Sequence, residues 1–135
     1  MQNNIPSIEV KATREFQRDL RELSKKYRHI RSDVQAIIEQ LQAGELIGNQ
    51  IAGTGYQVFK VRVKNSDLKK GKRAGYRLIY YLKTPTSIIL ITIYSKSEQS
   101  DISNDKIQEI VLNFNEGLVN NGKTNTEEDS TLSDE

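Results

Sequence analysis

The chain of 135 residues has no cysteine, one histidine and two prolines, and its hydrophobic segments are short. The absence of cysteine excludes disulfide bonds and thiolate metal sites and is typical of a reducing compartment, so we expect a cytoplasmic protein. No apolar run reaches about 18 residues, so we expect no transmembrane helix. The N-terminal residues lack the basic and apolar regions of a secretory signal, so none is expected.

Acidic residues are concentrated at the C-terminal end of the chain. Residues 124–135 contain five acidic residues and no basic one, so residues 1–123 carry a net charge of +7, against +2 for the whole chain. This end has too few apolar residues to offset the entropy of ordering it. We predict one domain at 1–119 and an acidic disordered tail at 120–135. The tail either solubilises the protein or folds over the basic surface and competes with an anionic ligand.

Residues 56–83 form the most basic segment of the chain. They contain nine basic residues and one acidic residue, a net charge of +8. The basic residues alternate with β-branched and aromatic ones, as on strands with one solvated face. A cationic sheet face favours a polyanion, and nucleic acid is the first candidate. The basic residues are Lys60, Arg62, Lys64, Lys69, Lys70, Lys72, Arg73, Arg77 and Lys83.

The hydrophobic spacing predicts an α+β fold with the order β-α-α-β-β-β-α. The last three strands should form an antiparallel meander, and an N-terminal helical hairpin should pack on the sheet, with all helices on one face. The non-alternating third strand of the meander is expected to be central, and the first strand of the chain to lie at an edge. The predicted strands cover 5–11, 56–64, 76–83 and 87–94, and a loop covers 44–55.

Capping residues set the predicted helix ends. Thr13 is suited to begin the first helix, Ser32 and Gln35 fit a capping box for the second, and Gly44 fits its end. Ser103 or Asn104 can cap the last helix.

Three strings carry a resemblance to a known family: F-K-V-R-V at 59–63, G-K-R-A-G-Y-R-L-I-Y-Y at 71–81 and I-T-I-Y-S-K-S-E at 91–98. With the element order, they resemble the RelE/ParE superfamily of bacterial toxins from toxin–antitoxin pairs, over residues 8 to about 116. The resemblance implies a RelE-like fold and a cognate antitoxin partner. RelE-like and HigB-like members cut mRNA on the ribosome without a metal or cofactor, by attack of a 2′-hydroxyl on the adjacent phosphate. The ParE branch shares the fold but poisons DNA gyrase.

The resemblance also implies catalytic residues. The family pattern places its catalytic arginine at Arg77, whose planar fork would hold the transition-state phosphate. Lys60 and Arg62 share one strand face and would hold the scissile phosphate, and a lysine crowded by cations could also act as a base. Lys96 would add another cation. Alternatively, Arg77 pairs with a carboxylate, and Lys60 and Arg62 belong to a merely solvated face.

Further residues are predicted to bind RNA through charge or stacking: Lys64, Lys69, Lys70, Lys72, Arg73 and Tyr94. Tyr94 would instead be a core residue if it packs against the last helix. Glu98 is interpreted as an ion-pair partner of Lys96 rather than a base. Some RelE members carry a tyrosine after the third strand of the meander, whereas this chain has none at 99–102.

Other chemistries have little support in the sequence. The one histidine, His29, lies at a helix junction and is expected to be structural, and no carboxylate cluster accompanies the meander, so no metal is expected. The leading hypothesis is therefore an mRNA endonuclease toxin. The alternatives are a ParE-like gyrase inhibitor, which is not an enzyme, and a non-catalytic RNA-binding module.

Overall fold

The computed structural model describes residues 8–68, 74–99 and 101–124, with side chains up to residue 117. The described residues form three helices and five strands in the order β1-α1-α2-β2-β3-β4-β5-α3, which confirms the predicted α+β class. The elements are β1 (Glu9–Ala12), α1 (Arg14–Ser24), α2 (Ile30–Gln42), β2 (Asn49–Gln50), β3 (Val58–Val63), β4 (Tyr76–Thr84), β5 (Ser87–Ser95) and α3 (Asn104–Thr124).

One five-stranded sheet organises the protein, in the order β1-β5-β4-β3-β2. β3, β4 and β5 form the predicted antiparallel meander, while β1 pairs parallel to β5. β5 is an interior strand between β1 and β4, as its unbroken apolar sequence indicated, because such a strand is buried on both faces. The middle strand of the five is β4. β1 lies at the sheet edge, also as predicted. Its described extent, Glu9–Ala12, ends one residue later than the predicted strand.

The predicted loop at 44–55 contains an element that sequence reasoning missed. Asn49 and Gln50 form β2, which pairs antiparallel with Lys60 and Phe59 of β3. Both residues of β2 are exposed, so no hydrophobic pattern marks this strand. The short strand extends the sheet beside the basic strand β3.

Helices α1 and α2 cover one face of the sheet. Phe16, Ile30, Val34 and Leu41 of these helices are buried against side chains of β3, β4 and β5, in a core that includes Tyr80. The apolar residues recur at spacings of three and four, which places them on one side of each helix. This core confirms the helical packing that the periodicity predicted.

Helix α3 covers the opposite face, which corrects the prediction that all helices share one face. Ile107, Ile110 and Val111 of α3 pack in a second core with Ile79 and Ile91. β4 and β5 are apolar on both sides, so the sheet has two faces to bury, and the two N-terminal helices cover one of them. The helical backbone of α3 continues to Thr124, past the predicted domain boundary at residue 119, and residues 125–135 lie outside the described part of the chain.

The helix ends were predicted well in α1 and α3 and less well in α2. Thr13 caps α1, with its hydroxyl accepting a hydrogen bond from the Phe16 amide at 2.9 Å. Ser103 caps α3 in the same way, accepting from the Lys106 amide. The predicted capping box of α2 is wrong, because α2 already begins at Ile30, and its N-cap His29 makes no side-chain capping bond. Gly44 follows the end of α2 with φ of 92°, as predicted for a terminating glycine.

Candidate functional site

Strand register places two arginines and a tyrosine in one row across the sheet. Arg62 of β3 lies opposite Arg77 of β4, and Arg77 lies opposite Tyr94 of β5. Lys60 precedes Arg62 by two residues and therefore shares its face. This is the face that α3 covers, since Tyr94 belongs to the core that α3 completes. The basic row thus lies at one end of that face.

Lys60, Arg62 and Arg77 line a cleft of about 690 Å³, together with Lys96. β3 contributes Lys60 and Arg62, β4 contributes Arg77, and the segment after β5 contributes Lys96. The structure therefore brings together the four residues predicted to be catalytic. The remaining lining comes from α2, from the region around β2, from β3 and from the β5–α3 connection: Ile37, Gln40, Ile47, Gly48, Asn49, Val61 and Asp101.

Arg77 is the most buried of the four cations, at 5% exposure. Its Nη1 donates a hydrogen bond of 3.2 Å to the carbonyl oxygen of Tyr76. A guanidinium held in this way loses little conformational entropy when it binds a planar oxyanion. Arg77 is therefore better positioned to orient an anionic ligand than the more exposed Arg62.

Gly75 allows the strands to approach each other closely at the start of β4. A Cβ atom built on Gly75 would lie 2.1 Å from the carbonyl oxygen of Val63, at the end of β3. The carbonyl oxygen of Gly75 also accepts a hydrogen bond of 3.0 Å from the amide of Lys96. Gly75 therefore sets the separation of the chain segments that carry Arg77 and Lys96.

Asp101 is a functional candidate that sequence reasoning missed. Its Oδ1 accepts hydrogen bonds from the Tyr94 hydroxyl at 3.0 Å and from Lys60 Nζ at 3.3 Å, and it lies 3.9 Å from Lys96 Nζ. The hydrogen bonds from Tyr94 and Lys60 lower the pKa of Asp101, outweighing the opposite effect of desolvation. The prediction for this segment concerned the absence of a tyrosine and gave the acid no role. The signal available in the sequence was an acidic residue shortly after a meander rich in basic residues.

Tyr94 contributes its hydroxyl to the site but not an accessible ring. The residue is 5% exposed and packs in the core beneath α3. Burial, together with the hydrogen bond to Asp101, raises the pKa of Tyr94 to about 12, so the hydroxyl remains a donor at neutral pH. The buried ring argues against the predicted stacking on a base. Donation to an anionic oxygen remains the role that the geometry allows.

Glu98 does not pair with Lys96, so that interpretation is wrong. Its carboxylate binds Lys26 at the end of α1 and accepts a hydrogen bond from the Tyr27 hydroxyl. The hydrogen bond from Lys26 lowers the pKa of Glu98. The turn after β5 directs Glu98 toward α1 and Lys96 toward the cleft, which their spacing in the sequence did not reveal.

The remaining predicted residues lie apart from the cleft lining or outside the described part. Lys64 is exposed just after β3. Lys69, Lys70, Lys72 and Arg73 fall within residues 69–73, which the structure does not describe. His29 lies far from the meander in sequence but contacts the β3–β4 connection, with Nδ1 2.7 Å from Asp67 Oδ1.

Within residues 8–68, 74–99 and 101–124, no group of three or more histidine, cysteine or acidic side chains is arranged to hold a metal ion. None of the described helices combines the length and apolar character needed to cross a membrane.

Comparison with known proteins identifies the family. Residues 10–100 match the family model described as the ParE toxin of the type II toxin–antitoxin system parDE. The fold is similar to that of a free double arginine-to-alanine mutant of the Escherichia coli toxin RelE. That structure has 14% identity and a TM-score of 0.50, and the match covers 80% of this chain and 97% of the other.

A second solved structure, TrmO from Pseudomonas aeruginosa, aligns with 18% identity and a TM-score of 0.41, over 70% of this chain and 40% of the other. The family model covers more than half of the chain, and the RelE likeness agrees with it in fold. The chain therefore belongs to the RelE/ParE superfamily as a toxin of a type II toxin–antitoxin system, which implies a cognate antitoxin as its partner.

Proposed function

We propose that this toxin is an endoribonuclease that cleaves mRNA on the ribosome. The observation that carries the proposal is the convergence of Lys60, Arg62, Arg77 and Lys96 on one cleft. These cations come from β3, β4 and the segment after β5, so the sheet fixes their relative positions. The cleft is lined by these four cations and one carboxylate, Asp101, so its net charge is positive. A positively charged cleft concentrates an anionic ligand and orients it.

The proposed reaction needs no metal ion. The 2′-oxygen of one nucleotide bonds to the adjacent phosphorus as its hydroxyl proton passes to solvent. The bond from phosphorus to the 5′-oxygen breaks, and this oxygen takes up a proton from solvent, so a cyclic phosphate and a 5′-hydroxyl result. Charge accumulates on the phosphoryl oxygens and then on the leaving 5′-oxygen. Arg77 stabilises the phosphoryl oxygens through its planar fork, and the ammonium groups of Lys60 and Lys96 stabilise the leaving oxygen. Arg62 and the exposed Lys64 bind the neighbouring backbone, as do the basic residues of 69–73.

A ParE-like inhibitor of DNA gyrase is the second candidate function. The observation in its favour is that the matching family model is that of ParE toxins. Such an inhibitor acts by binding and has no need of cations clustered around one phosphate. The composition of the cleft therefore favours the nuclease over the inhibitor.

Expression of the toxin from a tightly controlled promoter, without antitoxin, tests the proposal. Growth, mRNA 5′ ends and plasmid supercoiling are measured for the wild type, for Arg77→Ala and for the control Arg31→Ala, which removes an exposed arginine of α2. We expect the wild type and the control to arrest growth and to produce new 5′ ends within translated regions. Because loss of one oxyanion-stabilising donor typically costs about 10²- to 10³-fold in rate, Arg77→Ala should produce few such ends.

The other outcomes select among the alternatives. Growth arrest with intact mRNA and altered plasmid supercoiling would identify gyrase as the target and refute the nuclease. RNA binding in vitro without growth arrest would point to a non-catalytic RNA-binding module. Binding of Arg77→Ala to the cognate antitoxin, measured by co-purification from separate cells that express both proteins, shows whether the variant is folded.

A further inference from the structure

Asp101 lies among the cations of the cleft that the proposed function assigns to phosphate. One of its oxygens is shared by the Tyr94 hydroxyl, Lys60 and Lys96, at 3.0, 3.3 and 3.9 Å. An uncharged donor and two ammonium groups around one oxygen form an arrangement suited to any single anionic oxygen, whether of a carboxylate or of a phosphate. Because Asp101 fills this position, an incoming anion must compete with it.

The surroundings of Asp101 allow it to be displaced. Its side chain is 57% exposed, and the ammonium-bearing side chains of Lys60 and Lys96 are 36% and 38% exposed. Ion pairs with this exposure contribute little to stability, because water screens the two charges. The Tyr94 ring is fixed in the core beneath α3, so its hydroxyl stays in place when Asp101 leaves. The carboxylate is therefore the mobile member of the group.

We infer that Tyr94, Lys60 and Lys96 form a binding site for one anionic oxygen of the ligand, and that Asp101 occupies this site in the free protein. The inference rests on the proposed function for the identity of the ligand as RNA, but not for the existence of the anion site. Asp101 thereby weakens the binding of any anion that cannot replace its contacts. A ligand that also reaches Arg77 and Arg62 has enough additional contacts to displace it.

The binding of inorganic pyrophosphate, measured by calorimetry at low salt, tests the site without requiring RNA cleavage. Asp101→Asn removes the competing charge, and Asp105→Asn is the matched control, since it removes an acid of the same type from the first turn of α3. We expect Asp101→Asn to bind pyrophosphate about fivefold more tightly than the control, which corresponds to about 1 kcal/mol. Adding Tyr94→Phe to Asp101→Asn should reverse part of this gain, because a donor is lost.

The possible results separate the inference from the proposed function. Equal affinities of Asp101→Asn and Asp105→Asn, or no pyrophosphate binding by either, would overturn the inference. Loss of RNA cleavage in Asp101→Asn with unchanged pyrophosphate affinity would also overturn it and would give Asp101 a role in the chemistry instead. If none of the proteins cleaves RNA, the nuclease proposal fails, while the fivefold difference for pyrophosphate would still support the anion site.

Discussion

The close approach of β3 and β4 at Gly75 leads to a prediction about stability. Replacing Gly75 with alanine places a Cβ atom 2.1 Å from the carbonyl oxygen of Val63 and 3.1 Å from the amide nitrogen of Asn65. A carbon and an oxygen in ordinary contact are about 3.3 Å apart, so the strands must separate by roughly 1 Å at this point. Both close atoms belong to the backbone, which cannot move aside as a flexible side chain can.

The expected cost follows from this overlap. Overpacking typically costs about 1–3 kcal/mol, and weakening one hydrogen bond between β3 and β4 adds about 1 kcal/mol. The reduced entropy of the unfolded alanine variant offsets about 0.4–1 kcal/mol. We therefore expect Gly75→Ala to lower the free energy of unfolding by about 2–3 kcal/mol. With a urea m-value of about 1.5 kcal/mol/M, the unfolding midpoint should fall by roughly 1.3–2 M.

Gly117 provides a control with the same chemical change. It lies within α3, and a Cβ atom there meets nothing within 4 Å. Alanine is favoured over glycine in a helix by about 0.8–1.0 kcal/mol, so Gly117→Ala should raise the midpoint by about 0.5–0.7 M. Equilibrium urea unfolding followed by circular dichroism measures both variants. A Gly75→Ala midpoint equal to or above that of the wild type would refute the reasoning.

Two further predictions concern the polar contacts that hold the helices. Thr13→Ala should lower the free energy of unfolding by about 1–2 kcal/mol, since Thr13 caps α1 and its hydroxyl also donates to the carbonyl of Ile91 at 2.8 Å. In the same urea assay Thr13→Ser should keep most of the stability, and a loss below about 0.5 kcal/mol for alanine would contradict the capping role. Hydrogen bonds from the backbone and ring of His29 lower the pKa of Asp67 in the folded protein. The ionised carboxylate therefore stabilises the fold at pH values above the pKa of an unfolded aspartate, about 3.9. This stabilisation is lost as the pH falls through the lower pKa of the folded protein. We therefore expect the wild type to have a higher free energy of unfolding than Asp67→Asn near neutral pH, and expect this difference to disappear below about pH 4. Urea unfolding of both proteins at several pH values measures the difference, and a difference that does not change with pH would contradict the contact.

The sequence predicted much of the fold because the relevant signals are local. The apolar spacing of α1 and α2, the cap at Thr13 and the unbroken apolar run of β5 each depend on neighbouring residues. The prediction that α3 packs on the same sheet face as α1 and α2 was wrong. The position of α3 depends on which face of the sheet α1 and α2 do not cover, and this is a tertiary property. The strand β2 has two exposed polar residues, so no pattern of burial could reveal it.

The residues of the candidate site were likewise predictable where the signal is local, and were not predictable where it depends on tertiary packing. Alternation along β3 placed Lys60 and Arg62 on one face, and the strand order brought Arg77 beside them. The pairing of Glu98 with Lys26 and of Asp101 with Lys60 depends on the turn after β5, whose direction is set by tertiary packing. Burial of the Tyr94 ring likewise depends on α3 covering that face. Side chains beyond a strand end are thus harder to place from sequence than those within it.

The parallel pairing of β1 with β5 has a consequence for synthesis of the protein. β1 ends at Ala12, whereas its partner β5 is complete only at Ser95. At about 5–20 residues per second, roughly 4–17 seconds of translation separate the two strands. During this interval β5 is missing from the core in which the apolar sides of α1 and α2 are buried. A nascent chain therefore cannot assemble the basic row until most of it has been translated, and its uncovered apolar surfaces are accessible to chaperones during this interval.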